Sequence, residues 1–156
     1  MPKSAPCQHR KGLTMKNIVN LRLPCMPSSV IIAEATVTAM LQQANASDKE
    51  IEHVKIAMSE AVSNCVYWAY PNSDDGKISI TMQLEKEKLT ITINDSGVGI
   101  EDIGKACSYP YTTSPSNEHS GEGFTIMNNL MDRLKVRSSL DNGTTVILRK
   151  QIHIQQ

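Results

Sequence analysis

Aromatic side chains are scarce in this sequence. They make up 4% of its 156 residues, and Phe124 and Trp68 are the only phenylalanine and tryptophan. The core must therefore be aliphatic, with 8 methionines available to fill irregular gaps. Excess charge of either sign is missing too: 16 basic and 16 acidic residues give a formal net charge of +0. No broad positive field surrounds the chain, which disfavours direct binding of nucleic acid. No apolar run approaches the roughly 20 residues that span a bilayer, and the N-terminus has no apolar stretch of signal-peptide type. Neither a membrane partner nor export is expected. Cys7, Cys25, Cys65 and Cys107 are scattered, with no Cys-x-x-Cys pair and no histidine at metal-ligand spacing. They read as free thiols in a reducing cytoplasm.

The chain has enough residues for one domain with a real core and too few for two comfortable ones. Residues 1–14 are polar and basic without periodicity and are expected to be a disordered arm or a segment foreign to the native start, Met15 being a sensible beginning. The single domain is expected over 15–152. Asn17–Leu23 alternates as a first strand, ended by Pro24 and Pro27. Ser28 or Ser29 can cap a helix running to about Ala44, with Val30, Ala33, Val37 and Met40 on its apolar face. Ser47-Asp48 opens a second helix, expected from Lys49 to Tyr70, and Glu50 or Glu52 suits the positive end of its dipole. Ile78, Ile80, Met82 and Leu84, then Leu89, Ile91 and Ile93, form the buried face of a hairpin with a short charged connector at 85–88. Residues 106–121 read as a mobile loop, 124–131 as a helix, and 134–138 and 144–151 as strands joined by an Asp141-Asn142-Gly143 turn. The order predicts an α+β, two-layer sandwich: a mixed, mostly antiparallel sheet packed on helices.

Three clusters carry chemistry. Glu60 and Asn64 share one helix face, away from the apolar stripe. A carboxamide oxygen is a hard ligand for a hydrated metal, and a carboxylate can polarise a hydroxyl. Taken alone, the pair reads as a solvated helix face. Asp95-Ser96-Gly97-Val98-Gly99 follows a strand directly. Its glycines let backbone approach a planar ligand, and its aspartate can accept an exocyclic amine such as adenine's. Taken alone, it reads as a plain turn. Ser120-Gly121-Glu122-Gly123-Phe124 opens a helix, where backbone N–H groups cradle phosphate. Thr112 and Thr113 lie upstream and Gly143-Thr144-Thr145 downstream.

The order of these pieces decides between the readings. Glu-x-x-x-Asn, Asp-x-Gly-x-Gly, Thr-Thr with Gly-x-Gly, then Gly-Thr-Thr resembles the Bergerat ATPases, which include gyrase, MutL-type repair proteins and histidine kinases. The stretches SEAVSNCVYWAYPN, INDSGVGIEDI, YTTSP and GEGFTIMNNLMDRLKV…GTTVILRK are similar to the sporulation anti-sigma F factors, relatives of the general-stress anti-sigma serine kinases. The resemblance runs from Met15 to Lys150. It implies a Bergerat fold, Mg²⁺ held at Asn64, and Glu60 as catalytic base. It also implies adenine at Asp95 with Thr144 nearby, and Gly97, Gly99 and Ile100 against the base. Thr112, Thr113, Ser120, Gly121, Gly123 and Phe124 would form a lid around the phosphates of ATP or ADP. It further implies a cytoplasmic homodimer that binds a sigma factor and phosphorylates a serine of an anti-anti-sigma (STAS-domain) protein. Dimer contacts are expected from the first strand and first helix.

Several positions depart from that pattern. Trp68-Ala69-Tyr70 stands for His-Gly-Tyr, His119 and Glu34 stand for arginines, and Glu122 adds a negative charge between the lid glycines. The alternatives are a nucleotide-holding partner module without catalysis, and a detached histidine-kinase ATP-binding domain. The second lacks a helical hairpin carrying a phosphoacceptor histidine, since His53 precedes Glu60 on the same helix.

Overall fold

A computed structural model describes residues 16–108 and 121–155. The N-terminal arm, Thr112, Thr113, His119 and Ser120 lie outside the described residues. Strand β1 is Lys16–Pro24, followed by helices α1 (Pro27–Gln43) and α2 (Asp48–Asn64). Strands β2 (Lys77–Glu85) and β3 (Lys88–Asp95) come next, then a short helical turn α3 (Ile103–Ala106). Helix α4 (Gly123–Leu130) and strands β4 (Arg133–Ser138) and β5 (Thr144–Gln151) complete the order. The strands form one sheet in the order β1-β2-β3-β5-β4. The expected mixed sheet is corrected in one respect: every pairing among the described strands is antiparallel. Two hairpins and the insertion of β5 between β3 and β4 leave no pair running the same way.

One face of the sheet is buried under the helices. Ile78, Ile80, Met82, Ile91, Ile93 and Leu148 meet Val37, Leu41, Val54, Met58, Ala61 and Met127, all fully buried or nearly so. Among the described residues the largest fully buried side chains are all aliphatic or methionine, as the shortage of aromatics requires.

The helix starts show which local rules won. Neither Ser28 nor Ser29 caps α1. Met26 occupies the cap without a side-chain bond, and Pro27 enters the first turn. A proline there has no N–H to leave unsatisfied, and its fixed φ suits the helix. Ser29 instead donates to Pro24 O at 2.6 Å, tying the helix to the strand end. Helix α2 does begin at Ser47, which forms a reciprocal capping box with Glu50. Its α-helical part ends at Asn64, six residues short of the expectation, and continues as a π-helical stretch, Cys65–Ala69.

Glu50 has a second task that its sequence position did not reveal. Its Oε1 accepts the His153 N–H at 2.9 Å and lies 2.7 Å from His153 Nδ1. Burial alone would raise this carboxyl, but the bonds from His153 and Ser47 outweigh it and bring it from 4.5 to about 2. A lowered carboxyl stabilises the fold fully above its unfolded value, and that contribution is lost as pH falls through the folded one. Glu50→Gln is therefore expected to cost about 1–3 kcal/mol near neutrality. In urea melts, the gap to wild type should close between pH 4.5 and about 2; a gap independent of pH would contradict this account.

The β2–β3 turn is also unfavourable as written. Lys86 and Glu87 both adopt positive φ, 46° and 64°, in a connection that favours Asn-Gly. The double change Lys86→Asn, Glu87→Gly should raise stability by about 1 kcal/mol in a denaturant titration.

Candidate nucleotide-binding site

Asp95 ends β3 and is buried, 7% exposed. Its Oδ1 accepts Gly97 N–H at 2.9 Å and Thr144 N–H at 3.2 Å. Its Oδ2 lies 3.5 Å from the thiol of Cys65, which donates to it. Burial first, then the facing Asp95 carboxylate, push this thiol well above its ordinary value, so it stays protonated as a donor. The neighbouring Cys25 donates its thiol to Cys65 O at 3.0 Å. The carboxylate is thus fixed by neutral donors. Among the described residues no cation pairs with it. One oxygen is occupied by two backbone N–H groups, while the other has only a weak thiol donor and keeps acceptor capacity.

The glycines around Asp95 have reasons to be glycine before any ligand is considered. A Cβ at Gly97 would strike the Ala69 carbonyl, and one at Gly143 the Asp95 carbonyl. Gly99 and Gly143 also hold φ of 75° and 76°. Val98 N–H donates to Ala69 O at 2.8 Å, so the Asp95 loop is sewn to the end of the π-helical stretch. Ile100 N–H donates to Ser138 Oγ, which lies 2.8 Å from Thr144 Oγ1. Through these bonds the loop, β4 and β5 hold Asp95, Ile100 and Thr144 in one network.

Glu60 and Asn64 sit one turn apart on α2, both half-buried. Gly123, first residue of α4, stands over them. A Cβ built there would lie 3.1 Å from Glu60 Oε2 and 3.5 Å from both polar atoms of the Asn64 amide. The second helix and the Gly-rich helix start therefore converge, as the order of motifs required. Gly121 has φ 71° and precedes the helix. Phe124 packs partly against the core. Trp68 lies half-buried on the π-helical stretch.

Three contributors were not singled out from sequence. Tyr70 accepts Ser96 N–H and donates to Lys77 O, each at 2.8 Å, while its ring fills the space that a side chain at Gly76 would need. Cys65 and Ser138 complete the shell around Asp95 and Thr144. Only Tyr70 left a signal, as a tyrosine ending the polar helix just before a loop. A cavity of about 660 Å³ adjoins this network and is lined by Ile100, Lys105 and Ser138 among others. Asp95, Glu60 and Asn64 do not line it, so the donor geometry around Asp95, rather than this hollow, defines the candidate site. Among the described residues no group of three or more His, Cys, Asp or Glu could hold a metal by itself.

These features belong to a known class. Residues 23–150 match the family model of the histidine kinase-like ATPase domain. The fold agrees with the RsbU and RsbW domains of a Mycobacterium tuberculosis protein, at TM-score 0.62, 15% identity, and coverage of 87% of this chain and 32% of that one. It also agrees with the mycobacterial sensor histidine kinase MprB, at TM-score 0.56, 14% identity, and coverage of 88% and 100%. Sequence narrows the class. The anti-sigma F factor of Bacillus licheniformis is 38% identical over 138 residues, 88% of this chain and 94% of its own length. That of Clostridium novyi is 39% identical over 120 residues, 77% and 84% of the two chains. The chain belongs to the anti-sigma F factor family of histidine kinase-like ATPases.

Proposed function

We propose that this chain is a cytoplasmic, homodimeric anti-sigma factor that binds Mg-ATP and phosphorylates a serine on an anti-anti-sigma protein of STAS type. The observation that carries the reading is the convergence of Gly123 on Glu60 and Asn64 beside a neutral-donor cage for Asp95. Asp95 would accept the adenine amine on Oδ2. Gly121, Gly123 and the first N–H groups of α4 would receive phosphate. Asn64 would hold Mg²⁺, which when bound neutralises phosphate charge. The donor set fits such an ion: one hard carboxamide oxygen suits a magnesium that draws its other ligands from water and phosphates. Glu60 would orient and polarise the incoming serine hydroxyl. Thr112, Thr113, Ser120 and Phe124 would close over the nucleotide, and Gly97, Gly99 and Ile100 would border the base. Exposed Ile18, Ile31 and Ile32 on β1 and α1 support a dimer or sigma-factor surface there. No helix among the described residues is long and apolar enough to cross a membrane.

Calorimetric titration with Mg-ATP tests the reading. Binding of roughly −7 to −8 kcal/mol is expected; no heat at matching concentrations would sink it. Glu60→Gln should then keep that affinity and lower phosphoryl transfer to the partner serine by about 10²–10⁴-fold. Equal transfer by wild type and variant at background level would favour a module that holds nucleotide without catalysis, which Glu122 beside the phosphate cradle also suggests.

A further inference from the structure

The formal charge is balanced overall, yet it is not evenly spread. The face of the sheet turned away from the helices carries Arg133, Lys135 and Arg137 on β4 and Arg149 on β5, all exposed. Arg133 and Arg149 are direct cross-strand partners, an arrangement that costs stability because like charges face each other. None of the four has a carboxylate within salt-bridge distance among the described residues. Asp132, the acid next to them in sequence, is turned to the Lys150 ammonium and accepts Gln151 N–H at 2.6 Å. Their other neighbours on this face are Thr145, Ile147 and Thr90, so nothing local neutralises them.

We propose that the β4–β5 end of this open face is a docking surface for an acidic, extended segment of a partner protein. The spacing favours that occupant. Alternate residues of β4 place cations roughly 6.6 Å apart, with Arg149 about 5 Å to the side. An extended segment with Asp or Glu at alternate positions repeats its carboxylates at the same interval. Three of the four cations are arginines, whose planar fork matches a carboxylate in two bonds. A nucleic-acid occupant fits less well: the face has no aromatic side chain on which a base could stack, and it presents no helix to a groove. The surface lies across the sheet from α2 and α4, so the proposal does not depend on the nucleotide reading.

The test is fluorescence anisotropy of a labelled Glu-Ser repeat peptide, with a duplex DNA of about 20 base pairs as the competing probe. The full chain should bind the peptide at about 50 mM NaCl and do so roughly tenfold more weakly at about 200 mM. Arg133→Ser/Lys135→Ser/Arg137→Ser should lose at least about tenfold in peptide affinity while Mg-ATP binding stays as in wild type. Lys49→Ser/Lys55→Ser, on α2, should change nothing. If the triple variant does not fold, Arg149→Ser should show a smaller loss of the same sign. Absence of peptide binding at low salt, an equal loss in the α2 control, or DNA bound more tightly than peptide would each overturn the proposal.

Discussion

Asp95→Asn should weaken Mg-ATP binding by about a hundredfold while moving Tm by no more than a few degrees. The two effects separate because of how the carboxylate is held. Oδ1 serves the protein, accepting the N–H groups of Gly97 and Thr144, and an asparagine oxygen can accept both. On the proposed reading Oδ2, which accepts only the weak Cys65 thiol from the protein, would serve the ligand, and in asparagine it becomes an NH₂ facing the adenine amine, donor against donor. Losing a charged acceptor and leaving a buried donor unmatched costs about 3 kcal/mol, or roughly a hundredfold. The fold loses no bond from Oδ1 and is relieved of a buried charge without a cationic partner. Calorimetry and a thermal melt on the same sample check both halves. A variant that binds as wild type would place adenine elsewhere; one that unfolds would make Asp95 a structural group first.

Gly143→Ala should destabilise the protein by about 3 kcal/mol and abolish nucleotide binding in whatever remains folded. Two costs add. The residue holds φ 76°, where a Cβ costs about 1–2 kcal/mol. The added Cβ also collides with the Asp95 carbonyl, and relief requires moving β3 or β5 at the point where Thr144 grips Asp95. Overpacking of this kind costs about 1–3 kcal/mol. The readout is a denaturant midpoint together with Mg-ATP titration below it. A variant with unchanged midpoint would show that the Gly143 loop shifts freely.

Much of this was legible in the residues. The alternation of Ile78–Leu84 and Leu89–Ile93 defined both strands and their buried face, and the burial pattern reproduces it position by position. Ser47 and Glu50 marked the start of α2. The pairing of Glu60 with Asn64, and the placing of Asp95 at a strand end, followed from local period alone. What could not be read depends on contacts between distant segments. The π-helical stretch after Asn64 leaves no mark in propensity; it lets the Ala69 carbonyl meet Val98 N–H. Gly97 reads as a ligand glycine, yet the Ala69 backbone already fills its side-chain direction. Glu50 and His153 are 103 residues apart, and nothing in either neighbourhood announces the other. Ser28 and Ser29 looked like caps because capping preference is local, and Pro27 took the helix start first.

The position of β5 has a consequence for biogenesis. It is made after the other described strands, yet it lies between β3 and β4 rather than at an edge. While the chain is still emerging from the ribosome, β3 therefore waits with one side of its backbone unpaired and with Leu89, Ile91 and Ile93 incompletely covered. Such a strand is open to wrong partners until its proper one arrives. Thr144 reaches Asp95 only when β5 slots in, so on the proposed reading ligand competence would be acquired in the same event that closes the sheet. A nascent chain stalled before that point would be a client for chaperones and would lack the Thr144 bond that helps to fix Asp95.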